Sequence, residues 1–168
     1  MKCIHVLVIA LVLLSAGGCK PRAKNIPPLQ RKQAASLASE AQFAVSVRDH
    51  ARAEPLFEQA AKICPDNGGY WLNLGLTRRR LGNMAGAKSA YDSARAAFHD
   101  AYEIDPTQTD ALLQEVYAMA LLGRIDDARS RIEKAQKKNP TNVRLRSFAE
   151  SKQLDRLAAD PGFKEQAL

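Results

Sequence analysis

The sequence holds 168 residues, enough for one domain with a hydrophobic core. It is 46% hydrophobic, 26% charged and 6% aromatic, which excludes a collagen-like chain, a long disordered tail and a polytopic membrane protein; three cysteines are too few for a disulfide-stapled miniature fold. The net charge of +7 is concentrated: residues 20–33 hold five basic and no acidic residues, whereas residues 34–168 net only +1, far from the basic stripe of a nucleic-acid binder.

The chain opens MKCIHVLVIALVLLSAGGC. One lysine precedes an apolar run from Ile4 to Leu14, interrupted only by His5, and the small residues Ser15, Ala16, Gly17 and Gly18 follow. The run is shorter than the ~20 residues of a spanning helix and fits the apolar region of an export signal over residues 1–18. A small-residue run ending in cysteine resembles a bacterial lipobox, with Ala16 where leucine is favoured. The resemblance implies that Cys19 carries fatty acid and becomes the mature N-terminus. The alternative is an ordinary secretory signal cleaved near Gly17 or Gly18, which leaves Cys19 a free thiol.

Residues 19–33 read as a tether, extended by Pro21, Pro27 and Pro28. Its five positive charges suit an anionic membrane surface, at about 1 kcal/mol each, and two acyl chains would hold the anchor stably. By analogy with lipoprotein sorting, Lys20 after the cysteine, rather than aspartate, points to the outer membrane, with the protein facing the periplasm; a periplasmic or secreted location is the alternative.

Repeats follow. Pro65, Pro106 and Pro140 each close a helix-like stretch with the pattern A-x3-[F/I]-x2-A-x4-P: Ala53, Phe57, Ala60; then Ala94, Phe98, Ala101; then Ala128, Ile132, Ala135. The units are residues 34–67, 68–108 and 109–142. The middle one carries seven extra residues, because Ala87-x3-Tyr91-x2-Ala94 repeats at once as Ala94-x3-Phe98-x2-Ala101. A whole heptad keeps the apolar face of a helix, so the second helix of that unit is predicted over residues 84–104. Upstream, Trp71, Leu74 and Gly75 are spaced W-x2-L-G.

Together these motifs resemble the tetratricopeptide repeat. The resemblance implies an all-α fold, a right-handed superhelix of three helix hairpins with a C-terminal capping helix. The packing set is Ala41, Ala53, Phe57, Ala60, Trp71, Leu74, Gly75, Ala87, Tyr91, Phe98, Ala128 and Ile132, with Arg78 and Leu81 continuing the Trp71 stripe. Small residues let two helices approach while the bulky ones fill the space beside them. Residues 143–157 are amphipathic and are expected to form one capping helix, within a C-terminal unit of residues 143–168. The ending LAADPGFKEQAL resembles the Asp-Pro-x-Phe close of some bacterial repeat arrays.

Some positions depart from the pattern. Arg78 replaces a tyrosine, and Arg48 occupies the turn where Gly82 and Gly123 stand in the later units. Val116 replaces a small residue, predicting looser packing of the third hairpin. Pro55 predicts a kinked or late-starting helix and an irregular first unit.

No catalytic, metal or cofactor constellation is legible. The histidines His5, His50 and His99 lack ligand spacing, and Cys64 has no C-x-x-C partner and reads as a half-buried helix-end thiol. Ser46 and His50, four apart, read as a solvated pair on one helix. The expected function is therefore a non-catalytic protein-interaction scaffold: a lipid-anchored repeat protein that assists assembly or stability of a cell-envelope complex. The alternative is a soluble periplasmic or secreted adaptor or chaperone without lipidation. Its partner is a protein, with the membrane reached through the N-terminal lipid and basic tether. The family implies a groove lined by the first helices of each pair; by spacing it comprises Gln42, Ser46, Leu72, Leu76, Arg79, Arg80, Leu113 and Tyr117, joined by Ala38, Val45 and Leu121. Apolar with two arginines, it suits a peptide carrying an acidic group.

Overall fold

The computed structural model describes residues 25–168; the export signal, Cys19 and the tether before residue 25 lie outside the described residues. The described chain is helical throughout, with no strand: α1 (Pro28–Ser46), α2 (His50–Ile63), α3 (Gly68–Arg80), α4 (Met84–Ile104), α5 (Thr109–Leu121), α6 (Ile125–Lys138), α7 (Val143–Glu150), α8 (Gln153–Ala159) and α9 (Pro161–Lys164). Helices adjacent in sequence pack on one another, giving the hairpins α1/α2, α3/α4 and α5/α6.

Residues 28–33, expected to be extended, are instead the first turns of α1. Pro28 stands at the start of the helix, where its missing N–H has no intrahelical partner to lose and its fixed φ is already helical. Two consecutive prolines thus start the helix rather than prolong the tether.

The turns within the three hairpins are alike. Arg48, Gly82 and Gly123 each hold a left-handed φ, of 63°, 79° and 71°. The next N–H in each case reaches back to a carbonyl five residues earlier: Asp49 to Ala44, Asn83 to Arg78 and Arg124 to Met119, at 2.8–2.9 Å. This is the Schellman ending, which satisfies the helix's orphan carbonyls. Asp49 and Asn83 then cap the following helix through their side chains, at 3.0 Å to the Arg52 N–H and 2.8 Å to the Gly86 N–H. Because Asp49 caps α2, that helix starts before Pro55 and runs through it with the ring exposed. The turns between hairpins also match: Asn67, Gln108 and Asn142 each donate their N–H to the carbonyl three residues back, at 3.0–3.1 Å, with Pro65, Pro106 or Pro140 at the second turn position.

Two clusters form the core. The first is almost wholly alanine, with Ala34, Ala38, Ala41, Ala44, Ala53 and Ala60 around Phe57, Cys64 and Leu74. The second is larger-grained, with Tyr91, Leu112, Val116, Leu121, Ile132, Leu145, Leu154 and Phe163. Between them α3 lies close on α4: a Cβ at Gly75 would overlap the Tyr91 ring, and one at Gly68 would fall 2.7 Å from Phe98 Cδ1. All twelve residues of the sequence-derived packing set are buried or packed against these clusters. Arg78 and Leu81 are not part of that packing: Arg78 pairs with Glu54 at 2.9 Å, and Leu81 is exposed. Cys64, read as half-buried, is fully enclosed, and burial pushes its thiol pKa up.

Helix α4 has 21 residues against 14 in α2 and in α6, the length that the duplicated heptad requires. The extension packs inward, with Phe98 against the start of α3 and Tyr102 buried beside α6. The expected single capping helix is broken. Helix α7 ends at Glu150, Lys152 takes a left-handed φ of 51°, and α8 resumes at Gln153, so that both Leu145 and Leu154 reach the core.

Candidate functional site

The A-helix face is formed by α1, α3 and α5. On its α1/α3 side lies a cavity of ≈ 180 Å³ lined by Val45, His50, Asn73, Leu76, Thr77, Arg79, Arg80 and Gln166. Its location follows from the repeat geometry: Val45 closes α1, His50 opens α2, and residues 73–80 are the last two turns of α3. Arg79 and Arg80 are the charged groups of its lining, and His50 Nδ1 is buried without a hydrogen-bond partner. Thr77 is satisfied within its own helix, donating to the Asn73 carbonyl at 2.8 Å.

Of the groove residues read from sequence, Leu76, Arg79 and Arg80 line this cavity, and Tyr117 stands beside it through Gln166. Leu72 instead belongs to the core at 9% exposure, because α3 must bury both the Leu74 and the Leu72 sides, one toward each cluster. Ala38 and Leu121 are core residues too. Leu113 lines a separate depression with Val143, Arg144, Ser147, Phe148 and Gln153, where α7 flanks α5. Gln42 and Ser46 are exposed and line neither space. Ser46 Oγ donates to the Phe43 carbonyl at 2.7 Å, and the Schellman turn separates it from His50, so the two do not pair on one helix.

The feature that sequence reasoning missed is the last segment of the chain. Asp160 caps α9 by accepting the Phe163 N–H at 2.7 Å, Pro161 starts that turn, and Phe163 is buried against Tyr117 with ring centroids 5.7 Å apart. Beyond it, Tyr91 Oη donates to the Gln166 carbonyl at 2.9 Å and Arg79 Nε to the Ala167 carbonyl at 3.1 Å. The segment therefore lies on the A-helix face. Burial holds the Tyr91 and Tyr117 phenols above their usual range, Tyr91 far above. The Asp-Pro-x-Phe pattern signalled a cap and an anchor; nothing local signalled where they would dock.

A second missed feature is an ion cluster behind this face. Glu115, 3% exposed, accepts from Arg131 Nε at 2.9 Å and lies 3.0 Å from His99 Nδ1; Arg131 also reaches Glu103 at 3.1 Å and stacks over Tyr102 at 5.2 Å. It ties the inserted turns of α4 to α5 and α6. A lone glutamate inside the apolar run LLQEVYAMALL was its sequence signal. Among the described residues no group of three or more His, Cys, Asp or Glu could hold a metal ion, and no helix is long and apolar enough to cross a membrane.

Residues 87–150, from within α4 to the end of α7, match the tetratricopeptide repeat family. The chain's fold is accordingly all-α, built of tetratricopeptide-type helix hairpins, and repeats of this class generally mediate protein–protein interaction. Among solved structures it is similar to the first TPR of Spaghetti (RPAP3) bound to HSP90 peptide SRMEEVD, at 18% identity over 77% of this chain and 98% of that one, with a TM-score of 0.47. It is also similar to the Arabidopsis OM64 TPR domain, at 18% identity over 76% and 98%, with a TM-score of 0.44. Among curated proteins none matches the chain.

Proposed function

We propose that this protein is a non-catalytic interaction scaffold, anchored by a lipid on Cys19 and assisting assembly or stability of a cell-envelope complex by holding a protein segment on its A-helix face. The observation that carries the binding part of this reading is the α1/α3 cavity, lined by Leu76 together with Arg79 and Arg80. An apolar wall with two fixed positive charges suits a peptide that brings an apolar side chain and a carboxylate, since arginine pairs bidentately with carboxylate. The anchoring part rests on the sequence of residues 1–33, with its apolar run, small residues, Cys19 and basic segment.

The experiment has two arms. Affinity capture from envelope extract uses the full chain and its Leu76→Glu and Arg80→Glu variants, each shown to be folded by circular dichroism. A captured partner is expected to lose at least tenfold in affinity for Leu76→Glu; equal binding to both folded variants removes this face from consideration. Fatty-acid labelling of the intact protein in cells is expected to vanish in Cys19→Ser; labelling that persists rules out Cys19 as the anchor.

A further inference from the structure

The segment 160–168 makes two kinds of contact with the body. Phe163 is an apolar anchor, 5% exposed, set edge-on against Tyr117. The rest is held by directional polar contacts. Tyr91 Oη and Arg79 Nε donate to the carbonyls of Gln166 and Ala167, the Leu168 N–H donates to the Leu121 carbonyl at 2.9 Å, Tyr117 Oη donates to Gln166 Oε1 at 3.3 Å, and Arg80 faces Glu165 at 3.6 Å. Three of these five contacts are made to main-chain atoms of the segment, so they depend on its backbone path rather than its side chains. Glu165 and Leu168 are exposed, and Gln166 forms one wall of the open cavity beside His50 and Leu76. One aromatic anchor followed by backbone recognition is how a groove holds a peptide.

We infer that the α3/α5 side of this face is a docking surface for a short protein segment of the same chemistry as residues 160–168, an aromatic anchor followed by an acidic residue and free backbone carbonyls, and that the chain's own segment occupies it until such a partner displaces it. This rests on the reading that the A-helix face binds protein, and it adds the chemistry of the ligand and the presence of a competitor in cis. Glu165 next to Arg80, with Arg79 alongside, supplies the charge complementarity. A tethered occupant acts at an effective concentration on the order of millimolar. A partner's apparent affinity is then reduced by the fraction of molecules in which the surface is open.

The test uses the full chain and a fluorescein-labelled, C-terminally amidated peptide of residues 157–168 as probe, titrated by anisotropy. The variants are Phe163→Ala, which removes the anchor in cis, and Glu165→Lys, which sets a positive charge against Arg80 at an exposed position. The probe is expected to bind Phe163→Ala at least tenfold more tightly than wild type and Glu165→Lys at least twofold more tightly, and a probe with its own phenylalanine replaced by alanine is expected not to bind. Equal probe affinity in wild type and both folded variants, or no binding to any, overturns the inference. If Phe163→Ala fails to fold by circular dichroism, Glu165→Lys decides alone, and an unchanged dissociation constant there overturns it. A Leu76-dependent captured partner without probe exchange would overturn this inference and leave the broader reading standing.

Discussion

The two core clusters solve the same packing problem with different materials. In the first, around α1 and α2, rows of alanine let the helices approach closely, and Phe57 is its one aromatic residue with its side chain fully buried. In the second, around α4 to α6, tyrosine, leucine and isoleucine supply much of the bulk. This cluster also includes Leu145, Leu154 and Phe163 from beyond the third hairpin, and a charged cluster at Glu115 joins the same helices. The alanine cluster is closed by the neighbouring hairpin, through Leu74 and Ala90. The second cluster draws in side chains of α7, α8 and α9, and so binds residues 143–163 to the middle of the chain.

The largest expected effect breaks the second cluster alone. Glu115→Ala leaves the Arg131 guanidinium, itself only 15% exposed, with Glu103 as its remaining carboxylate, and removes the acceptor facing His99. Removing one partner of a buried pair costs roughly 3–5 kcal/mol where the other charge is left uncompensated; with Glu103 still facing Arg131, urea denaturation is expected to show a loss at the lower end of that range with loosening of the α4 extension. The exposed pair Arg52–Glu40 of the first hairpin is the contrast, and Glu40→Ala there is expected to leave the denaturation midpoint almost unchanged.

Gly75→Ala tests the seam between the clusters. The added methyl must displace the Tyr91 ring, which is wholly buried and whose hydroxyl holds the Gln166 carbonyl. Overpacking of this kind costs about 1–3 kcal/mol. Thermal unfolding is expected to shift down, and hydrogen exchange at residues 165–168 to speed up with it.

A stabilising change sharpens the comparison at the other end. Arg48 adopts the left-handed φ of 63° that Gly82 and Gly123 take in the later hairpins, and its side chain is exposed. Arg48→Gly relieves the Cβ penalty and is expected to add up to about 1 kcal/mol in the same denaturation assay. Unchanged or lowered stability would show that the Arg48 side chain compensates for its backbone.

The smallest effect is one of pH. Burial raises the pKa of both Tyr91 and Tyr117 in the folded protein. A neutral acid with a raised folded pKa contributes stability that is fully present below its unfolded value, about 10 for tyrosine, and is lost as pH rises beyond it. Stability is therefore expected to fall above about pH 10, and Tyr91→Phe to flatten part of that fall, at a cost near neutrality of about 1 kcal/mol for its hydrogen bond to Gln166. An unchanged alkaline slope in Tyr91→Phe would assign the fall to other groups.

Much of the fold was legible because its determinants are local and periodic. The alanine and aromatic spacing, the three prolines and the duplicated heptad fix helix type, hairpin count and the length of α4, since each depends on residues within a turn or two of one another. The same locality explains the errors. Pro27 and Pro28 read equally well as an extended tether or a helix start, and only the packing of Ala34, Ala38 and Ala41 decided for the helix. Leu72 could have faced solvent or a neighbour, and the second cluster placed it in the core. His50, Leu76, Arg79 and Arg80 converge on one cavity because three helices and the final segment meet there, a juxtaposition that no spacing along the chain encodes. Residues 160–168 carry a legible cap and a legible anchor, but their docking on Tyr91, Arg79 and Tyr117 spans separations of up to 88 residues. Hydrogen bonds at that distance are set by where packed helices leave a donor without a partner, and only the tertiary structure determines that.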